Sequence, residues 1–155
     1  MTLTIDPIGM VRNGRADPQD SDHWGDVEST IRVEERFGDH CLTGLGEFSH
    51  VEVVYFFHQF PEREDYRKPL RARGRADLPE VGVFCDRGPR RPNRIGCTIC
   101  EVVSAEGRQL RVRGLDTVDG TPVIDIKPVM RQFIPPHVRQ PDWVDSLMKD
   151  YFAKE

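Results

Sequence analysis

Residues 49–60 read SHVEVVYFFHQF, the most apolar segment of the 155-residue chain. Val, Tyr and Phe dominate it, which predicts a central β-strand and not a helix. His58 and Gln59 fall at its C-terminal end, where side chains leave the core. There they either complete the packing or meet the polar edge of a ligand.

The segments around it carry the same short-strand signature. Leu3 to Val11 reads as a first strand, with Pro7 suiting an edge or a bulge. Val27 to Val33 alternates, placing Val27, Ser29, Ile31 and Val33 on one face. Val81 to Cys85 and Ile95 to Val103 read as strands flanking an arginine-rich loop. Leu110 and Val112 alternate with Arg111 and Arg113, a hairpin partner with one wet face. Pro122 to Pro128 returns as a last strand after the turn LDTVDG at residues 115–120. Gln140-Pro141-Asp142 marks a helix start with proline in the first position, and Trp143, Leu147 and Tyr151 share one face of it. Six or seven short strands and one helix define an all-β chain, a sandwich or a barrel.

The loops are as informative as the strands. Residues 81–95 read VGVFCDRGPRRPNRI, with Arg87, Arg90, Arg91 and Arg94 within eight positions. Pro89 and Pro92 fix φ and remove two donors, so the loop is shaped in advance. Guanidinium groups suit phosphate and carboxylate recognition; the plainer reading is a solvated turn. Pro61 to Pro79 is a charged loop with few apolar residues, expected to be mobile. Between Arg63 and Arg94 ten basic side chains face five acidic ones, although the whole chain has a net charge of −4. A basic sector on an acidic body is a localised docking surface for an anion or polyanion. Residues 13–25 form a polar loop whose one large apolar side chain, Trp24, is expected to cap the core.

No apolar run approaches a membrane span, and the N-terminus has no secretory pattern, so a cytoplasmic protein is expected. The four cysteines, at 41, 85, 97 and 100, are then free thiols. Cys97 and Cys100 have metal or redox spacing, but they stand inside an apolar run without a second pair, so no metal is expected. There is no G-x-G-x-x-G after a strand, no phosphate-binding P-loop and no G-x-S-x-G.

FSHVEVVYFFHQ, VGVFCDRGPRRPNRIG and LDTVDGTPVIDIKP together resemble the three signature stretches of the TsaA-like (YaeB-like) family, in the family's order and spacing. Its best-described members are tRNA N6-adenosine methyltransferases that use S-adenosyl-L-methionine (SAM). The resemblance covers Ile8 to about Met130. It implies a small closed antiparallel β-barrel; with the short C-terminal helix read above, residues 1–155 are expected to form one domain with its core at about 5–135 and a helical tail at about 141–153. It also implies a homodimer, SAM as cofactor and tRNA as a possible partner, with methyl transfer to the N6 of a modified adenosine beside the anticodon. The cofactor residues carried over are His58, Gln59, Arg87, Cys97 and the turn Leu115, Asp116, Thr117, Val118, Asp119 and Gly120. Arg87 would meet the SAM carboxylate, and Asp116 or Asp119 its ribose hydroxyls or ammonium. Arg90, Arg91 and Arg94 would face the methyl acceptor. No residue emerges as a catalytic base.

The chain departs from the family pattern at Cys85-Asp86-Arg87-Gly88, at Arg94 and at Val129, and longer members continue into a second domain. Two other readings therefore stand beside the first. One is methylation of a small anionic molecule; the other is a non-catalytic SAM-binding regulatory module.

Overall fold

In the computed structural model, which describes residues 1–154, six strands close into an antiparallel barrel. They are β1 (Gly9–Arg12), β2 (Glu28–Val33), β3 (His50–Phe56), β4 (Ile95–Glu106), β5 (Gln109–Arg113) and β6 (Pro122–Pro128). Their order around the barrel is β1-β2-β5-β4-β3-β6. One helix, α1 (Asp142–Met148), follows.

β3 fills the role that its composition predicts. Val51, Val53 and Tyr55 point inward and are essentially inaccessible to solvent, while the strand pairs with β4 on one side and β6 on the other. Inward residues from the other strands complete the core: Val11, Ile31, Val33, Cys100, Leu110, Val112 and Val123. β4 and β5 form a hairpin through Gly107-Arg108. On its outer face Arg111 and Arg113 converge on Glu28 at 2.7 and 2.8 Å. This is the wet face expected of an amphipathic strand.

Three expectations change. Residues 81–85 are not a strand. Val81 makes one bridge to Leu70, and Val83–Cys85 is a single 3-10 turn. The physical reason is closure: β3 and β4 each already have two partners, so the barrel offers no free edge for a seventh strand. Phe84 is correspondingly 78% exposed. Second, the first strand begins at Gly9; Leu3 and Ile5 stay exposed, and Pro7 lacks the N–H that would extend the ladder. Third, the charged loop 61–79 is tied down by the paired bonds between Leu70 and Val81, both 2.8 Å, and buries Ala72 and Leu78.

Trp24 is buried, as expected of a cap, with the Arg15 guanidinium stacked 3.8 Å over its ring. The apolar stripe of α1 is half-buried at Trp143, Val144, Leu147, Met148 and Tyr151. No helix among the described residues is long and apolar enough to cross a membrane.

Candidate functional site

The site collects at one end of the barrel, where β3 ends, β4 begins and the turn 115–120 leads into β6. The Phe57 amide donates to the Arg94 carbonyl at 2.8 Å, which pins the strand end to the arginine loop. His58 is half-buried, and burial pushes its pKa below the ordinary imidazole value. It faces the turn: a Cβ added at Gly120 would lie 4.0 Å from its Nε2. Gln59 beside it is exposed.

The turn itself is buried and tightly held. Leu115, Thr117, Val118 and Thr121 are all nearly inaccessible. Asn13 clamps it, donating its side-chain amide to the Thr117 carbonyl at 2.8 Å and its backbone amide to Asp119 Oδ1 at 3.0 Å. Asp119 is also paired with Arg12 at 3.3 Å. Gly120 has φ of 79°, the left-handed region that glycine enters without steric cost. Thr117 Oγ1 is buried and has no hydrogen-bond partner within the protein. A buried hydroxyl left in that state is costly unless a ligand or water completes it.

Asp116 points the other way, into the barrel mouth. Its Oδ1 accepts from the Tyr55 hydroxyl at 3.1 Å and from the Thr98 hydroxyl, and its Oδ2 accepts from the Tyr151 hydroxyl. Burial, and then the nearby Asp116 charge, push both tyrosine pKa values up, so these phenols stay protonated donors. The two aspartates of the turn therefore differ: Asp116 is saturated by hydroxyl donors, whereas Asp119 secures the loop at Asn13. Tyr55, Thr98, Tyr151 and Asn13 are absent from the site residues expected from the sequence, where Tyr151 figures only on the apolar face of the helix. Tyr55 and Thr98 were findable, since each continues an inward alternation, at 51-53-55 and 96-98-100. Asn13 and Tyr151 reach the site only through tertiary folding.

The arginine loop is distinguished by what its charges do not touch. Elsewhere in the basic sector four of the five guanidinium groups are neutralised: Arg67 pairs with Asp65 at 2.9 Å, Arg71 with Glu80 at 3.8 Å, Arg73 with Asp22 at 2.9 Å and Arg75 with Asp77 at 2.5 Å, while Arg63 donates to the Lys68 carbonyl at 3.1 Å. In the loop they bond backbone carbonyls, with one further contact from Arg87 to a thiol, and no carboxylate. Arg87 donates to the Cys97 carbonyl at 2.6 Å, Arg91 to the Asp86 carbonyl at 2.7 Å and Arg94 to the Phe60 carbonyl at 2.8 Å. Among the described residues none of Arg87, Arg90, Arg91 and Arg94 has a carboxylate within ion-pair distance. Arg90 is exposed, while Arg91 and Arg94 are half-buried, and Arg94 also stacks on Phe56 at 4.7 Å. Asn93 and Arg94 both hold left-handed φ, 63° and 50°. Such strain in non-glycine residues gathers at ligand sites.

Cys97 lies beside Arg87, with Nη2 to Sγ at 3.7 Å. Cys100, three residues along β4, points into the core, and burial lifts its thiol pKa to about 12. Residues three apart on a strand face opposite ways, so this pair does not converge on one metal. No cluster of three or more His, Cys, Asp or Glu side chains suited to a metal occurs among the described residues. An open groove of about 470 Å³ runs along Gly14–Asp17 and His23–Val27. None of the turn or arginine-loop residues lines it; its Arg15 Nε and His23 Nδ1 are also buried without a hydrogen-bond partner, so it is the unpaired cations that make the barrel mouth the stronger candidate.

The protein is a closed six-stranded antiparallel β-barrel whose mouth joins an ordered turn to arginines without carboxylate partners. Residues 10–133 match the family described as the tRNA-methyltransferase O N-terminal domain, and the chain belongs to that family. An S-adenosyl-L-methionine-binding protein of Archaeoglobus fulgidus is 34% identical over 128 residues, covering 81% of this chain and 88% of that protein. The human tRNA (adenine(37)-N6)-methyltransferase is 38% identical over 151 residues, 90% of this chain but 33% of that protein. The crystal structure of TrmO from Pseudomonas aeruginosa superimposes with a TM-score of 0.73 at 28% identity, covering 90% of this chain and 61% of that one. The chain thus spans most of the archaeal relative, about a third of the human enzyme and about six-tenths of TrmO.

Proposed function

We propose that the protein binds SAM at the barrel mouth and transfers its methyl group to the N6 of a modified adenosine next to the tRNA anticodon. The observation that carries this is the arginine loop: four guanidinium groups without carboxylate partners, beside a buried turn with an unpartnered hydroxyl. In a chain of this family the arrangement suits a zwitterionic cofactor and a polyanionic acceptor.

The residues present fit SAM. Arg87 offers its remaining donors to the cofactor carboxylate. Thr117 Oγ1 and the backbone of 115–120 offer hydrogen bonds to ribose and adenine, with His58 and Gln59 closing the rim. Cys97 supplies an apolar contact. Neutral His58 places no positive charge against the sulfonium. SAM, when bound, supplies an electrophilic methyl group for in-line displacement. The protein's part is alignment of the acceptor nitrogen and exclusion of water. Arg90, Arg91 and Arg94 meet the acceptor's phosphates.

The same reading includes a two-fold homodimer and a cytoplasmic location. Residues 130–142 run exposed along the surface, and Met130, Phe133, Ile134 and Val138 present apolar side chains there, with Phe84 on the arginine-loop side. Exposed apolar residues in such a run support burial against a second copy. Light scattering checks this part; the 17.8 kDa monomer mass at micromolar concentration would contradict it.

The test of the activity is incubation of unfractionated tRNA with the protein and SAM carrying a labelled methyl group, followed by nucleoside mass spectrometry. Label in an N6-methylated modified adenosine is expected. SAM binding without transfer to tRNA would overturn the methyltransferase and favour the binding module. Transfer only to a small anionic molecule would favour a small-molecule enzyme.

A further inference from the structure

The C-terminal tail ends in the site, and it lies beyond the segment that the family match covers, which stops at residue 133. After α1 the chain crosses the 22–26 loop as a strap. The His23 amide donates to the Asp150 carbonyl and the Trp24 amide to the Tyr151 carbonyl, both at 2.9 Å. Lys154 pairs with Asp26 at 3.2 Å. Arg73, itself paired with Asp22, lies 5.4 Å over the Tyr151 ring, and Arg75 donates to Ser146 Oγ at 3.1 Å. This docking delivers one group to the barrel mouth, the Tyr151 hydroxyl, which donates to Asp116 Oδ2.

The consequence concerns Arg87. Asp116 Oδ1 is held by two donors from the barrel wall, Tyr55 and Thr98, but Oδ2 is held by Tyr151 alone. Arg87 bonds the carbonyl of Cys97 at 2.6 Å, and the next residue, Thr98, donates to Asp116, yet no ion pair forms between the arginine and that carboxylate. Without the Tyr151 hydroxyl, a half-buried carboxylate oxygen would be left unsatisfied. Arg73, at the Tyr151 ring, is already paired with Asp22, whereas Arg87 has no carboxylate partner and is bonded at Cys97, next to the Thr98 that holds Asp116. A pair between Arg87 and Asp116 would neutralise the guanidinium that the cofactor carboxylate needs.

We infer that Tyr151 is a positioning residue of the cofactor site: through the strap it holds Asp116 away from Arg87 and keeps that arginine free for an anion. The inference rests on SAM as the ligand. It accounts for three features at once: a saturated carboxylate in the cofactor turn, an unpaired arginine beside it and a tail docked by backbone bonds.

The test is a double-substitution cycle read by calorimetry with SAM. Tyr151→Phe keeps the ring beneath Arg73 and removes only the hydroxyl; it should weaken SAM binding about tenfold. Asp116→Asn removes the charge that would capture Arg87, so adding Tyr151→Phe to that background should change affinity less than about twofold. Thermal unfolding of each variant without SAM monitors folding separately. An equal loss in both backgrounds would assign Tyr151 a merely structural role and overturn the inference, as would unchanged affinity in Tyr151→Phe when the wild type binds. Absence of binding by the wild type would instead remove the SAM reading on which the inference stands.

Discussion

Gly25 and Phe152 pass each other backbone to backbone: a Cβ added at Gly25 would lie 2.2 Å from the Phe152 carbonyl oxygen. Neither backbone can yield without breaking the bonds that join His23 and Trp24 to the tail. Gly25→Ala is therefore expected to lift the strap off the 22–26 loop. The cost should be roughly 1–3 kcal/mol, the usual penalty for forcing an extra methyl into a packed contact. Trp24, buried beneath Arg15, should become wetter. Thermal melting and tryptophan emission read both effects. A variant with wild-type melting and unshifted emission would mean that the strap is not docked as described.

The thiols separate by environment. Cys41 and Cys85 are exposed, Cys97 is half-buried beside Arg87, and Cys100 is in the core. With a chromogenic disulfide reagent, Cys41 and Cys85 should react quickly and Cys97 more slowly. Cys100, with its pKa raised to about 12 by burial, should react only after unfolding. Saturating SAM should slow Cys97 selectively. Protection of Cys85 with Cys97 untouched would displace the cofactor from this wall of the site.

How much of this was legible in sequence depends on the range of the interaction. The period-2 pattern of 51-53-55 fixed β3 and its inward face, because alternation is a local consequence of strand geometry. The same local logic misled at 81–85, where an apolar run met a barrel with no edge left to pair; edge availability is a property of the whole sheet. The arginine cluster was visible, but its meaning was not. The nine arginines between 63 and 94 look alike in sequence. Only the fold shows that the four at 67–75 find carboxylates, one of them as distant as Asp22, while Arg63 and the four at 87–94 do not. Asp116 and Asp119 likewise share one turn motif, and their opposite roles follow from Tyr151 and Asn13, each more than 30 residues away.

His58 gives the site a pH dependence with a definite sign. Burial depresses its pKa, so the folded protein prefers the neutral imidazole. Its contribution to stability is complete above the unfolded value of about 6.5 and is lost as pH falls through the folded value. A protonated His58 would also oppose the sulfonium cation. SAM affinity should therefore be level from pH 8 through about 6.5 and decline only as pH falls through the lower value that burial sets in the folded protein. His58→Gln should flatten the profile, and calorimetry across the series reads it. An unchanged slope in His58→Gln would place the titrating group elsewhere.

The arginine loop should divide by position. Arg87 is exposed but sits against Cys97 at the start of β4, so Arg87→Ala is expected to weaken SAM binding by roughly 1–3 kcal/mol, the loss typical of a charged hydrogen bond. Arg90, Arg91 and Arg94 lie farther along the loop. Replacing all three by Gln, which keeps part of the stem that covers Phe56, should leave SAM affinity nearly unchanged. The same triple variant should flatten the dependence of log tRNA affinity on log salt by about two to three units, close to one for each phosphate the protein no longer neutralises. Filter binding over a salt series, wild type against variant, measures it. Equal slopes would remove these arginines from the acceptor surface. The opposite result, weakened SAM affinity with an unchanged tRNA slope, would assign the outer loop to the cofactor and leave the polyanion to be held elsewhere.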